Sequence, residues 1–548
     1  MRVGTTRGKA VAGAVGLALV LSACGGDDNG ENGDAAGPQG SVTIRGCNPE
    51  NPLIPVSTNE VCGGDPLDAI FSKLIRYDPE TAEAVNEIAE SIESDDNQVW
   101  TVTLRDGWTF HDGTPITAHS FVDAWSWNVF GGNAAYALNE YFFSSIEGYE
   151  ESRGEFDEET GEYIEGSGSE TLSGLEVIDD RTFTITLQAP EAGFPQRLGY
   201  LAFAPMPDVF YEDPDAFGEH PIGSGPFEVA AFDQGQRIVL DAYDGYQGEL
   251  RPQVDGVTFR MYQESEAAYS DLLADNVDVV PMLPASALAG ESYKSDLGER
   301  YIEQETGVIW TLTFPPEDVD PELADPNVRK AISKAINRQL IIDNIFQGTR
   351  QAATGWVSPV VEGYVPDQCG DSCVYDVEGA QELLAASGFN GPLTLSYNAD
   401  GDHEGWVTAT CNSIANALEI DCVPTPVPLF ADFRAAINAR EMEGMFRSGW
   451  QMDYPSIENF LVPIFVSDAS ANDADYSNSE FDELIERAAQ ADGDEAIDLY
   501  QQAERLLAED MPVIPLWYSM TVAGYSTRVD NVNITPFGTV DLLNISYR

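Results

Sequence analysis

Two hydrophobic periods alternate along this chain, and that alternation restricts its fold class more than any other feature. Apolar residues two apart mark strands at Trp100-Val102-Leu104 and Phe183-Ile185-Leu187. Helical spacing appears at Val328, Ile332, Ala335 and Ile336, and again at Leu499, Ala503, Leu506 and Leu507. Asp325-Pro326-Asn327 supplies N-terminal chemistry for the first of these helices, and Met511-Pro512 ends the second. A shorter helix around 380–386 stops at Ser387-Gly388-Phe389, with Gly388 placed as a C-cap. Strands and helices interleave through both halves, so the class is α/β. The chain has 548 residues, and at about 150 per domain it divides into two to four. No internal repeat is evident.

The N-terminus is not part of that fold. Arg2, Arg7 and Lys9 form a positive region, and the apolar run over 10–21 is too short for a permanent membrane span. It ends in Leu21-Ser22-Ala23-Cys24, which resembles the bacterial lipobox, where a cysteine after small residues takes a diacylglycerol. Residues 1–23 are therefore expected to be a lipoprotein signal peptide, with Cys24 the lipidated first residue of the mature chain. Residues 25–40 hold no large apolar side chain, so 24–40 reads as a flexible tether. The mature body is expected on the extracytoplasmic face of a bacterial cell membrane, lipid-anchored. It keeps six cysteines, Cys47, Cys62, Cys369, Cys373, Cys411 and Cys422. An even number in an exported chain favours disulfides. Several connectivities are open, and the three local pairs are the simplest. The spacings match no zinc pattern, and the sequence has four histidines.

Composition excludes one class of partner. The formal net charge is −66, with five lysines in the chain. Such a surface repels polyphosphate, so nucleic acid is not a partner, and it keeps the body well solvated. Hydrophobic residues make up 43% and aromatics 10%, enough for packed cores. Residues 147–170 carry ten acids and one arginine among several glycines, and read as a solvent-exposed insertion or long loop.

Catalytic patterns are missing. There is no Gly-x-Ser-x-Gly, and Ser224 sits in Gly223-Ser224-Gly225-Pro226, a tight turn. His111 and His119 lie eight apart with Pro115 between them, so they form no helical metal pair. Asn398-Ala399-Asp400-Gly401-Asp402 is a partial calcium loop in which His403 replaces the required glycine. No phosphate-binding loop or dinucleotide fingerprint occurs. The chain is read as a non-enzyme without cofactor or metal.

What recurs instead is extended segments ending in glycine and aromatic residues. The stretch Asp106-Gly107-Trp108-Thr109-Phe110-His111-Asp112-Gly113-Thr114-Pro115-Ile116-Thr117-Ala118 leads into Phe121-Val122-Asp123-Ala124-Trp125. Further segments follow at Gly223-Ser224-Gly225-Pro226-Phe227, Asn276-Val277-Asp278-Val279, Val328-Arg329-Lys330-Ala331-Ile332 and Ala503-Glu504-Arg505-Leu506-Leu507. From about residue 45 to the end, this order resembles family 5 of the extracellular solute-binding proteins, the peptide receptors of ABC importers. Thr117-Ala118-His119-Ser120-Phe121-Val122 and Gly449-Trp450-Gln451-Met452-Asp453-Tyr454-Pro455 look most like its oligopeptide branch.

The resemblance implies a two-lobed, periplasmic-binding-protein-like α/β fold (type II, cluster C) with an extra subdomain and a hinge-closing cleft. Lobe one would take 41–70, 179–306 and 522–548, the subdomain 71–178, and lobe two 307–521. It implies a monomer that captures short peptides and hands them to a permease and its ATPase subunits. By resemblance Asp453 binds the peptide's α-ammonium group, and Arg447 with His403 serves the carboxylate end. Trp450, Gln451, Asn398, Trp310 and Val61 complete the candidate ligand contacts. The chain departs from the pattern twice. Gln347 falls where receptors of shorter peptides have a lysine, and Gln451 replaces a cysteine beside the aspartate. An oligosaccharide, metal chelate or haem is the alternative ligand class for the same fold.

Overall fold

Two thirteen-residue strands, Tyr301–Thr313 and Val513–Tyr525, run antiparallel through the middle of an eleven-stranded sheet in the computed structural model. The structure describes residues 40–548 apart from 59, 158, 159, 400, 402, 468, 470 and 492. The expected signal peptide, Cys24 and nearly all of the tether lie outside the described residues.

The long pair acts as a shared ribbon. On one side of it stand Met445–Gln451, Leu393–Asn398 and Cys422–Val427; on the other stand Val279–Val280, Ser41–Gly46, Gly256–Met261, Arg237–Ala242 and Phe227–Asp233. Register along the ribbon runs from Tyr301↔Gly524 to Thr313↔Val513, with shifts between Glu305 and Ile309 and between Trp310 and Thr311. The Thr313/Val513 end of the ribbon packs into one of two large cores, while Tyr301 and Val522 at the other end join a small cluster with Leu272 and Leu297. One core gathers Val42, Phe121, Phe183, Phe203, Leu240 and Phe259. The other gathers Leu312, Ile332, Leu395, Phe460, Leu507 and Trp517. These are the two lobes. A separate four-stranded sheet, built from 89–93, 99–104, 182–186 and 175–179 in that order, packs into the first core.

The local signals of the sequence have physical counterparts. Val99–Leu104 turns Trp100, Val102 and Leu104 inward, and Thr182–Thr186 buries Phe183 and Ile185. Asp325 caps Pro326–Ala335 by accepting the Asn327 N–H, and Gly388 ends Val377–Ser387 in a left-handed conformation at φ 75°. The acidic segment 147–170 departs from the loop expectation. Tyr149–Arg153 is a helix with Tyr149 and Ser152 buried, and Phe156 pairs with Tyr163. Its few aromatic residues suffice to pin it down, although the charge pattern reads as solvated chain.

The disulfides Cys47–Cys62, Cys369–Cys373 and Cys411–Cys422 are all formed. They close short loops, each contributing at most about 2–3 kcal/mol. Reduction is expected to soften the fold without abolishing it. Thiol counting on denatured, unreduced mature protein checks the pairing, and two or more free thiols contradict it.

Candidate ligand cleft

The wall that lobe one offers begins with a helix, Val61–Ile70, capped by the Glu60 carboxylate on the Gly63 N–H. Val61, Gly64, Asp65 and Asp68 fall on one face, at i, i+3, i+4 and i+7, and all four line a cavity of about 410 Å³. The helix is held from behind by the Gly223-Ser224-Gly225 turn, whose Ser224 and Gly225 N–H groups both donate to the Ile70 carbonyl, at 3.0 and 2.7 Å. A side chain on Gly223 would bring its Cβ to 2.1 Å from that oxygen, so glycine is required. Ser224 spends its hydroxyl on Ser72, and His111 accepts the Gly223 N–H on Nδ1, so neither reaches the cavity. Burial pushes the His111 pKa down to about 4.

Lobe two contributes Gln451, Met452 and Asp453 to the same cavity. They follow the strand Met445–Gln451, whose end is tied to the ribbon by Val308↔Gln451 and by the Met452 N–H on the Gly307 carbonyl at 2.8 Å. Asp453 is fixed by Asn459. The Asn459 amide donates to Asp453 Oδ2 at 3.1 Å, and its Oδ1 accepts both the Asp453 N–H at 2.9 Å and the Trp450 indole N–H at 3.1 Å. Burial raises the Asp453 pKa to about 6, against the lowering by Asn459 and with a further rise from Glu458. Opposite it, burial raises Asp65 to about 7, with Asp68 and Glu60 adding repulsion. Lys73 pairs with Asp68 at 2.6 Å. Tyr77, Tyr141 and Tyr200 all lie within the field of Asp453. The cavity is thus an anionic, aromatic-walled space, suited to a cation.

Arg447 sits on the same strand but lines a second cavity, of about 250 Å³, together with Trp450, Phe430 and Phe433. Its guanidinium lies 5.1 and 5.2 Å from the Phe430 and Phe433 ring centres and donates to Asn398 Oδ1. Arg434 forms a two-pronged pair with Asp473 there, at 2.7 and 3.1 Å. His403 is buried and accepts the Trp406 indole N–H on Nδ1 at 3.2 Å, which places its proton on Nε2. The Trp310 ring packs tilted against His403, 5.3 Å between centres, and its indole N–H donates to Ser519 Oγ at 2.9 Å. The structure therefore brings Asp453, Gln451 and Val61 to one cavity and Arg447 and Trp450 to another. Asn398 touches Arg447, while His403 and Trp310 pack together behind the strand Met445–Gln451 and line neither cavity.

Between the two cavities runs a strand edge. Leu393–Asn398 pairs with Met445–Gln451 at Leu395↔Met445 and Ser396↔Phe446, and among the described residues no strand continues that pairing from Ser448 to Gln451. Extended chain is the natural occupant of such an edge. Asn459 obeys no spacing rule with Asp453, so no sequence pattern announced it. The Val61–Asp65–Asp68 stripe follows helical periodicity, which could have found it.

The chain matches known proteins over most of its length. The pattern described as bacterial extracellular solute-binding proteins, family 5 Middle, matches residues 83–472. The chain is 25% identical over 522 residues to the oligopeptide-binding protein OppA of Bacillus subtilis, covering 91% of this chain and 92% of that protein. It is 26% identical to heme-binding protein A of Haemophilus influenzae, covering 86% and 85%. Among solved structures it resembles the Escherichia coli murein tripeptide binding protein MppA, at TM-score 0.76 and 21% identity over 93% of this chain and 99% of the other. Haemophilus influenzae OppA in complex with RPPGFSPFR superposes at TM-score 0.74 and 21% identity, over 93% and 99%.

Proposed function

The chain belongs to the bacterial extracellular solute-binding proteins of family 5, and from that membership we propose that it captures short peptides between its lobes and delivers them to an ABC import permease. It is a transport receptor, not an enzyme. The observation that carries the peptide reading is Asp453, a carboxylate held in place by Asn459 on the wall of a cavity open to solvent, two residues beyond the strand edge at Ser448–Gln451. A peptide supplies what each part lacks. Its α-ammonium group meets Asp453, and its backbone pairs with the edge from Gln451 back towards Arg447. Its terminal carboxylate then approaches the Arg447 guanidinium. Six positions of extended chain between Asp453 and Arg447 span at most about 20 Å. Peptides of a few residues fit that span, since each adds about 3.3–3.6 Å. Val61, Trp450 and the tyrosines offer apolar surface to the ligand's side chains without demanding one sequence.

Native mass spectrometry of the protein as purified tests the ligand class. A heterogeneous set of short peptides supports the reading; a single haem or sugar mass overturns it. Anchoring is a separate part of the proposal. Lipidation of Cys24 and tethering through 24–40 would hold the receptor at the outer face of the membrane, within reach of its permease. Cys24→Ser is expected to release the protein into the medium or leave it unprocessed. If the variant sediments with membranes as fully as the wild type, the lipid anchor is refuted.

A further inference from the structure

Behind Asp453 a single guanidinium is gripped by acids from both lobes. Arg197 ends the helix Phe194–Arg197, whose Phe194 lies in the first core, as does the following Leu198. It bonds Glu191 of its own lobe and reaches Glu458 Oε1 at 2.8 Å, on the helix Ile457–Phe465 of the other lobe. The Arg197, Glu191 and Glu458 side chains are 13%, 15% and 7% exposed, so this is a largely dry contact. Tyr454 donates its hydroxyl to Glu458 Oε2 at 2.7 Å. Its ring is buried in the first core, although Met452 and Ile457 on either side of it belong to the second. Arg197 lies 5.7 Å from that ring. Five residues upstream, the Ala192 N–H donates to the Ala489 carbonyl on the helix Ser479–Gln490, at 2.8 Å, again across the lobes.

We propose that Arg197, Glu458 and Tyr454 form a bolt that sets the balance between the open and closed cleft. The inference rests on the reading of this protein as a lobe-closing receptor and not on which ligand it carries. A buried ion pair is suited to the task, because its desolvation cost roughly cancels its attraction. Arg197 keeps Glu191 when the lobes part, while Glu458 exchanges the guanidinium for water. Neither state strands an unpaired buried charge, so the bolt closes specifically without locking.

The test uses the full mature chain and two variants, Glu458→Gln and the milder Tyr454→Phe. Hydrogen exchange at the Ala192 amide reports lobe contact without any ligand. Exchange at least about tenfold faster in both variants is expected, with protection of the strand Val99–Leu104 unchanged. Equal Ala192 exchange in wild type and both variants overturns the bolt, as does loss of protection at Val99–Leu104 in step with Ala192. Calorimetry with the peptides recovered from the purified protein, free and N-acetylated, separates the bolt from the ammonium site. A bolt variant should weaken both forms by the same factor. A factor confined to the free form assigns these residues to the ammonium contact and also overturns the bolt.

Discussion

Asp453→Asn is expected to weaken the binding of free peptides at least about tenfold and to leave N-acetylated peptides nearly unaffected. A hydrogen bond to a charged group contributes about 1.5–3 kcal/mol net. Stranding one member of a buried pair costs more, about 3–5 kcal/mol. Each 1.4 kcal/mol is about tenfold in affinity, so the loss lies between about tenfold and a few thousandfold. The substitution preserves shape, and Asn459 still has an amide partner to meet. A double cycle of protein variant against capped ligand isolates the contact from any folding effect. Calorimetry in which the wild type binds free and capped peptides equally well rules out the amino anchor, and the haem, sugar or chelate class then leads.

Affinity is also expected to collapse in mild acid. Burial holds the Asp453 proton up to about pH 6, and a protonated carboxyl offers no charge to an ammonium group. At pH 7 such a group is about nine-tenths ionised, so its own contribution to binding is close to its maximum. Below pH 6 the affinity for a free peptide should fall by roughly tenfold per pH unit, before the peptide's own carboxylate titrates. The sign for folding is opposite. A carboxyl raised above its unfolded value binds more protons in the native state, so ionising Asp453 between about pH 4 and 6 costs the unliganded protein stability. An incoming ammonium group offsets that cost. Titration calorimetry from pH 7.5 to 4.5 checks the slope. A flat profile for free peptide means that Asp453 does not meet the charge, and Asp453→Asn should flatten the slope below pH 6, leaving only the change near pH 7 where Asp65 titrates.

The sequence announced whatever local periodicity or a contiguous motif can encode. Trp100, Val102 and Leu104 declare their strand because one face is wet, and Asp325 and Gly388 declare helix ends because capping is a near-neighbour affair. Asp453 was legible because Trp450-Gln451-Met452-Asp453-Tyr454 is contiguous. Tertiary partners were not. Arg197 and Glu458 stand 261 positions apart and meet only because two lobes fold against one another. His403 reads as a loop histidine because acids and glycine surround it, yet the Trp406 indole three residues later draws it into the core. In 147–170 ten acids outweigh the tyrosines on any compositional scale, while burial is decided by single rings such as Tyr149.

The central ribbon limits how such a molecule can move. Tyr301–Thr313 and Val513–Tyr525 pack into the second core at one end and into a small cluster around Leu272 and Leu297 at the other, and their pairing loses register between Glu305 and Ile309, beside the point where Gly307 accepts from Met452 and donates to the Pro536 carbonyl. Bending concentrates where hydrogen-bonded rungs are interrupted, so the lobes should swing about one short axle instead of sliding or twisting freely. Such a device has close to a single mechanical degree of freedom. The angle about that axle then carries the whole message that the cleft is full, and a membrane partner gauging one distance between the two lips could read it without ever touching the cargo.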